Sequence, residues 1–546
     1  MKNIKRYMAA LALSPMLLAS CSDSFLNEIN PNEETEQSFW TNETNVTKAL
    51  VAIYNPIRDH MYGYYGVFSG IGNNNMRADD VFPTRNEDAW GWGVVNFTNT
   101  TESGNGTSNI WSTLYETIQY ANNFIYYAPT VEMDQSTLDK MLGEAYFMRG
   151  FHYFLLHINF RDAVIRTLPT VIDGEQHPLS SGEKVLAQCE ADFLKAKELL
   201  PTTRPITENG RVLKGAASAM LGKTYLWQKR YDDAKKELGE VITDYGYELV
   251  KYEDNFRDDT EFNKESIYEL NYMQPDNAEN SLWGDQQGTM ASMANNIANF
   301  FAPECSKGGW YKMQPSAHLI EEFIKEERPA DSDSRFDKRL YTTCFFPHSD
   351  YNDVVPDELA WSEITFEEMW TKGLEKKLKP APKFPEIDGK EGRLLLKKWS
   401  AWWCEDGASM YAGNKAREFN LRVMRFAEVL LLHAEACLRT NDVAGAIADI
   451  NKIRVRAGLS TMSASDTNTA WEELRHQKLL EFAGENIRWY DLIRWYDTYD
   501  ELKAYLTATK DPGQNISAMQ EKHRYLPIPQ GEVDANQNME QKPEWR

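Results

Sequence analysis

The chain has 546 residues, of which 42% are apolar, and carries 59 Lys and Arg against 82 Asp and Glu for a net charge of −23 at pH 7. That apolar share is ample for a packed core, while the acidity argues against nucleic acid and polyanionic ligands, which need a positive field. Six cysteines without a C-x-x-C pair exclude a zinc knuckle and a dense disulfide framework.

At the start, Lys2, Lys5 and Arg6 precede an apolar run over residues 8–19. The run is too short to span a bilayer and ends in small residues, so residues 1–20 read as a secretory signal. Leu18-Ala19-Ser20-Cys21 resembles a bacterial lipobox, in which the cysteine becomes the first mature residue and carries acyl chains. Each buried CH₂ contributes about 0.8 kcal/mol, so three chains anchor firmly. An ordinary signal with an incidental cysteine is the competing reading. No other apolar stretch approaches 18 residues, and contact with the membrane is expected only through the anchor. Residues 21–38 are polar and acidic and read as a flexible lipidated tether.

Helical periodicity dominates the chain beyond this tether. "NVTKALVAIYNPIRDHM" places Val46, Leu50, Ile53, Ile57 and Met61 on one stripe. "SNIWSTLYETIQYANNFIYYA" and "LDKMLGEAYFMRGFHYFLLHINF" keep the rule, as do residues 183–200, 212–228, 231–244, 421–439, 443–457 and 471–497. Strand-like pieces are few and short. Within this pattern lies a repeat: Leu221-Gly222-x-x-Tyr225 followed by Ala234 and Leu238, echoed by Ala434, Cys437, Ala446 and Ile450. This is the spacing of the tetratricopeptide helix pair, whose small residues let two antiparallel helices approach and whose pairs stack into a scaffold. Long loop-rich segments interrupt it at 63–107, 252–315 and 345–419, and loops of such length are usually functional.

Motifs for chemistry are missing. Residues 217–224, "ASAMLGKT", come near a phosphate loop, but Ala217 replaces its first glycine and the segment belongs to the helix-pair pattern. There is no H-E-x-x-H and no G-x-S-x-G, and the nine histidines lack metal spacing. His433, in "LLLHAEA", reads as a packed helix histidine. Residues 331–337 only faintly resemble a calcium loop, without its glycine and terminal glutamate. No catalytic residue, metal ligand or cofactor is assigned.

Four segments together resemble the SusD/RagB family of outer-membrane nutrient-binding lipoproteins. They are "CSDSFLNEINPNEETEQSFWTNETNVTKALVAIYNPIRD"; "EAYFMRGFHYFLLHINFRDAVIRTLP"; "LRVMRFAEVLLLHAEACLRTND"; and "LLEFAGENIRWYDLIRW" joined to the closing "YLPIPQGEVDANQNMEQKPEW". The resemblance implies a mainly α fold, with tetratricopeptide-type helix pairs as scaffold, a loop-rich ligand face and few short strands. Residues 39–546 would form one such domain, with 39–250 as its N-terminal part and 251–546 as its C-terminal part. The implied role is capture of oligo- or polysaccharide at the cell surface and delivery to a SusC-like TonB-dependent transporter, from the exterior face of the outer membrane and without catalysis. Peptide capture, as in the RagB branch, and surface glycoside hydrolysis are the alternatives.

The family's ligand loops correspond to residues 73–96 and to the segments around 283 and 310. Trp90 and Trp92 in "EDAWGWGVVNF", Trp283 in "NSLWGD", and Trp310 with Tyr311 in "KGGWYK" sit there among Gly, Asn and Asp. An aromatic face stacks on the C–H face of a sugar, and Arg77, Asp80 and Asn96 could hydrogen-bond its hydroxyl edge. If residues 87–97 are extended, Trp90 and Trp92 lie on one side. Two readings stand for these tryptophans, a glycan platform or loop anchors in the core. Two also stand for Arg77 and Asp80, ligand contacts or a structural ion pair.

Overall fold

A computed structural model describes residues 39–59, 63–66, 70, 76–83, 92–101, 104–273, 297–301, 312–326, 328–332, 334–345, 395–400, 418–509 and 515–546. Cys21 and its tether, Trp90, Trp283, Trp310 and Tyr311 lie outside these residues.

Most of the periodic segments become helices, although the first stripe is helical only to Tyr54, Ile57 lies in a separate turn, and Met61 is outside the described residues. In α1 (Glu43–Tyr54), Val46, Leu50 and Ile53 are buried, and the Asn42 side chain caps the first turn by accepting from Asn45 N–H. The strand β1 (Val81–Pro83) and the one-turn helix α2 (Trp92–Val95) precede the scaffold. Five helices come next: α3 (Gly104–Tyr127), α4 (Gln135–Phe160), α5 (Gly182–Leu199), α6 (Lys214–Trp227) and α7 (Tyr231–Asp244). The later part runs β2 (Ser266–Leu270), α8 (Ile297–Phe301), β3 (Met313–Pro315), α9 (Ala317–Ile324), α10 (Lys338–Thr343), β4 (Cys344–Phe345), β5 (Leu395–Leu396) and β6 (Leu421–Arg425). It closes with α11 (Phe426–Arg439), α12 (Val443–Arg456), α13 (Thr467–Phe482), α14 (Arg488–Trp495), α15 (Tyr499–Thr509) and α16 (Gln530–Ala535).

Each scaffold helix packs on the next. The order is α3, α4, α5, α6, α7, then across the chain to α11, α12 and α13. The repeat read from the sequence makes these contacts. Leu221, Ala234, Leu238, Ala434, Cys437, Ala446 and Ile450 are all fully buried, and Tyr225 nearly so. Gly222 is where α6 and α7 come closest: a Cβ there would sit 2.5 Å from Leu238 Cγ. α4 runs through the middle, with every residue from Phe147 to Phe160 buried. Its Arg149 pairs with Asp192 of α5 at 2.6 Å, and its Glu144 takes Arg204 at 2.7 Å, so the charges inside are paired. The C-terminal tail folds back onto this helix. Leu526 N–H donates to Asn159 O at 2.7 Å, and Lys542 Nζ donates to Phe160 O at 3.2 Å and to Leu526 O at 2.8 Å.

The described strands form three antiparallel pairs, β1–β3, β2–β6 and β4–β5. Two expectations from periodicity need correction. Residues 421–439 are not all helix: Leu421–Arg425 is a strand on β2, with Arg422 ion-paired to Glu269 at 2.6 Å. A short run with apolar residues at both periods is decided by its partner, and here the partner is a strand. The stretch 471–497 is two helices rather than one. Gly484 (φ +73) and Asn486 (φ +63) turn the chain between α13 and α14. Lys398 Nζ donates to the carbonyls of Glu481 and Ala483, and Trp399 Nε1 donates to Gly484 O, so groups freed at the helix end are satisfied. The phosphate-loop look-alike 217–224 lies inside α6.

Candidate ligand-binding face

The small strands bring the roots of the loop segments together. In β1–β3, Val81 faces Pro315, Phe82 faces Gln314 and Pro83 faces Met313. The chain leaving at residue 84 and the chain arriving at 312 are therefore neighbours. Lys312 N–H donates to Phe300 O of α8 at 3.0 Å, which adds the root at 301. β3 also touches β5, and in β4–β5 Phe345 faces Leu395. Segments 84–91, 302–311 and 346–394 thus attach to one frame, and two of them carry Trp90, Trp310 and Tyr311. Residue 92 opens the turn of α2, so the extended backbone expected through 87–97 does not hold at Trp92.

Three expected ligand contacts sit inside the body. Arg77, Asp80 and Asn96 are 2%, 1% and 7% exposed. Arg77 stacks its guanidinium over the Trp489 ring at 4.6 Å, and burial lowers its pKa to about 10. Asp80 Oδ2 accepts from Gly484 N–H at 2.9 Å, while Oδ1 has no partner among the described residues. Burial pushes the Asp80 carboxyl up to about 7, against the lowering effect of that bond. Arg77 and Asp80 lie in the segment that leads into β1, and its backbone is held against the start of α9. Asp80 O accepts from Ser316 N–H at 2.9 Å and Asp79 O from Ser316 Oγ at 2.5 Å.

The neighbour that the sequence does not single out, Asp79, is the hub. Arg488 Nε and Nη2 donate to its two oxygens at 2.7 and 3.0 Å, Tyr505 Oη donates at 2.7 Å, and His318 Nε2 stands 3.6 Å away. Burial would raise the Asp79 carboxyl, but Arg488 holds it below the usual range. One carboxylate thus ties the root of β1 to α14, α15 and α9. The sequence carries no local signal for this contact, because Asp79 and Arg488 lie 409 positions apart.

Behind the hub is a larger charge cluster. Arg425 pairs with Glu265, Glu481 and Glu485; Arg456 with Glu265 and Glu481; Arg339 with Asp337 and Glu481; and Lys398 with Glu485 at 2.6 Å. Four cations thus meet four anions, and no side chain in the group is more than 8% exposed. Asp337, the last acid of the faint calcium pattern, is committed here to Arg339 at 2.7 Å.

One constellation resembles a nucleophilic triad. His433 Nδ1 lies 2.5 Å from Asp449, and Cys437 Sγ lies 3.8 and 3.9 Å from the two ring nitrogens of His433. The near-equal distances mean that neither nitrogen is aimed at the sulfur, and Nδ1 is already engaged by Asp449. Burial pushes the thiol up to about 12, where the nucleophilic thiolate is scarce. The expected packed histidine is what the geometry gives. Among the described residues no group of His, Cys, Asp and Glu could hold a metal ion, and no helix is long and apolar enough to cross a membrane.

Comparison with known proteins fits this architecture. Residues 264–545 match the family model described as "SusD family", and residues 24–226 match one described as "Starch-binding associating with outer membrane". A SusD-like protein of Bacteroides ovatus is 22% identical over 514 residues, covering 90% of this chain and 83% of that one. A SusD superfamily protein of Bacteroides vulgatus superposes with a TM-score of 0.72 at 26% identity, over 93% of this chain and 100% of that structure. A solved laminarin-binding SusD-like protein gives a TM-score of 0.70 at 25% identity, over 92% and 99%.

Proposed function

The chain belongs to the SusD family, and from that premise we propose that it is a cell-surface glycan-binding lipoprotein of the outer membrane. It captures a neutral oligo- or polysaccharide and passes it to a SusC-like TonB-dependent transporter. The observation that carries this reading is the frame of β1, β3, β4 and β5, from which segments bearing Trp90, Trp310 and Tyr311 leave side by side. The likeness to a laminarin-binding relative supports a glycan as ligand. Residues 39–250 and 251–546 act as one domain, a reading supported by the packing of α7 on α11 and the pairing of β1 with β3. The helical surface serves the transporter, and Cys21 carries the lipid, so that Cys21→Ala should move the protein from washed membranes to the soluble fraction.

In this reading Trp90, Trp92, Trp283, Trp310 and Tyr311 form the sugar platform, and Arg77, Asp80 and Asn96 hold its floor in place. The test is to measure affinity and melting on the same variants: Trp90→Ala with Trp92→Ala, Trp283→Ala, and Trp310→Ala. A stacked ring contributes through buried apolar area, so each loss should weaken glycan binding roughly tenfold to a hundredfold with melting unchanged. A core tryptophan would instead cost about 3–5 kcal/mol of stability. Lowered melting with intact binding assigns that residue to the core. Release of reducing ends from a retained polysaccharide, or retention of peptides and no glycan, would replace the proposed function with one of its alternatives.

A further inference from the structure

A cleft of about 570 Å³ lies between α3, the connection leaving α4, and α16. Its size falls within the range of roughly 300–1,000 Å³ seen for small-ligand sites. Trp111 and Tyr115 line its floor, with ring centroids 4.8 Å apart. The Tyr115 ring is fixed, because its hydroxyl donates to Val164 O at 2.9 Å and accepts from Val164 N–H at 2.7 Å. The walls are held just as firmly. Gln119 Nε2 donates to Asn123 and Thr170 at 3.0 Å each, and Asn536 Nδ2 donates to His177 O at 2.8 Å. This cleft is built before any ligand arrives, which lowers the ordering cost of binding.

What remains uncommitted defines the ligand. Trp111 is only 3% exposed, yet its indole N–H has no acceptor among the described residues. Glu532 accepts from no described residue, and Glu116 accepts only from Tyr120 Oη, at 2.8 Å. Arg166, the cation of the lining, donates to Asp173 O and Glu175 O. One donor at the floor, carboxylate acceptors at the wall and the half-buried Tyr115 ring suit a polyhydroxylated ring. The two glutamates disfavour an anionic one.

We propose that this cleft is a second saccharide site, which takes one or two residues of a neutral glycan and lies apart from the loop-bearing frame. The inference rests on the glycan-binding reading above. Two sites on one chain would hold a long polymer by avidity, since the second contact becomes intramolecular.

The test uses two variants that approach the cleft from different sides, Thr170→Trp, which obstructs it, and Glu116→Ala with Glu532→Ala, which removes the wall carboxylates. All three positions are exposed, so the fold should survive, and loss of fold in one variant leaves the other to decide. Laminarin, xylan, mannan, dextran and mucin are screened in affinity gels, and oligosaccharides of the retained polymer are then titrated by calorimetry. Wild type should show two sites per chain and each variant one, with retention on the polymer about tenfold weaker. One site in wild type, or two in both variants, overturns the second site while the glycan function stands. If wild type retains none of the polymers, the function itself falls, and this inference falls with it.

Discussion

The stacked helices and the root of the loop frame are held by different forces. Between α6 and α7, or α11 and α12, contact is apolar and close: Gly222 lets Leu238 in, and Ala434, Ala446 and Ile450 are fully buried. Beneath the frame the fixed points are charges. Asp79 binds Arg488 and the half-buried Tyr505, and Glu481 meets Arg339, Arg425 and Arg456, with both carboxylates and all four guanidinium groups buried. Apolar packing is non-directional and tolerates sliding, whereas a buried ion pair is stable only in its own geometry and is costly to break. A scaffold can therefore rest on the first. A frame that must hold several loop roots in register gains from the second.

Removing one member of the charge cluster should produce the largest effect. In Glu481→Gln the carboxylate facing three guanidinium groups is lost, and these cations stay buried with fewer partners. Breaking such a pair costs about 3–5 kcal/mol. Urea denaturation should show that loss, and a change under about 1 kcal/mol would mean that the cluster is more hydrated than its burial implies. The helical stack should respond less. Gly222→Ala places a Cβ 2.5 Å from Leu238 Cγ, which must shift inside a filled core. Overpacking of this kind costs roughly 1–3 kcal/mol. If Gly222→Ala proves the more damaging of the two, the comparison is reversed.

This difference also explains how much could be read from the sequence. The scaffold follows period and residue size, so the repeat at Leu221, Gly222, Ala234 and Leu238 located a helix pair that the structure contains. The charged root follows neither. Asp79 meets Arg488 across 409 positions of chain, and Arg425 meets Glu265 across 160, and no local pattern marks such partners. Hence Arg77 and Asp80 read equally as ligand contacts or as a structural ion pair, both are buried in the structure, and Asp79 is not marked at all. The break at Gly484 does carry a local mark, the glycine and Asn486, but the groups that complete it, Lys398 and Trp399, arrive from elsewhere. The frame itself required the register of β1 on β3 and of β4 on β5.

The smallest effect expected is a pH dependence where the two regions meet. His476, on α13, has Nδ1 2.6 Å from Glu322 and Nε2 2.7 Å from Glu326, at and beyond the end of α9, the helix next after the frame strand β3. Both ring nitrogens face carboxylate oxygens, so only the doubly protonated imidazolium satisfies both. Glu473, Gln477 and Arg454 complete the surroundings, with Lys325 on Glu322. Burial alone would lower the His476 pKa, but the two carboxylate bonds raise it above the ordinary 6.5. Burial would raise Glu322 and Glu326, yet the bonds to His476 and the nearby cations bring each from 4.5 down to about 2. A raised histidine contributes stability that is complete below its unfolded pKa and is lost as pH rises through the folded value. The depressed glutamates contribute above 4.5 and lose it as pH falls toward 2. The clamp is therefore strongest between 4.5 and 6.5. Replacing His476 with glutamine should cost on the order of 1–2 kcal/mol near pH 5.5, and the gap from wild type should narrow as pH rises past neutrality. Chemical denaturation across that range reads it directly, and a gap of constant size would show that His476 holds α9 by packing and not by charge.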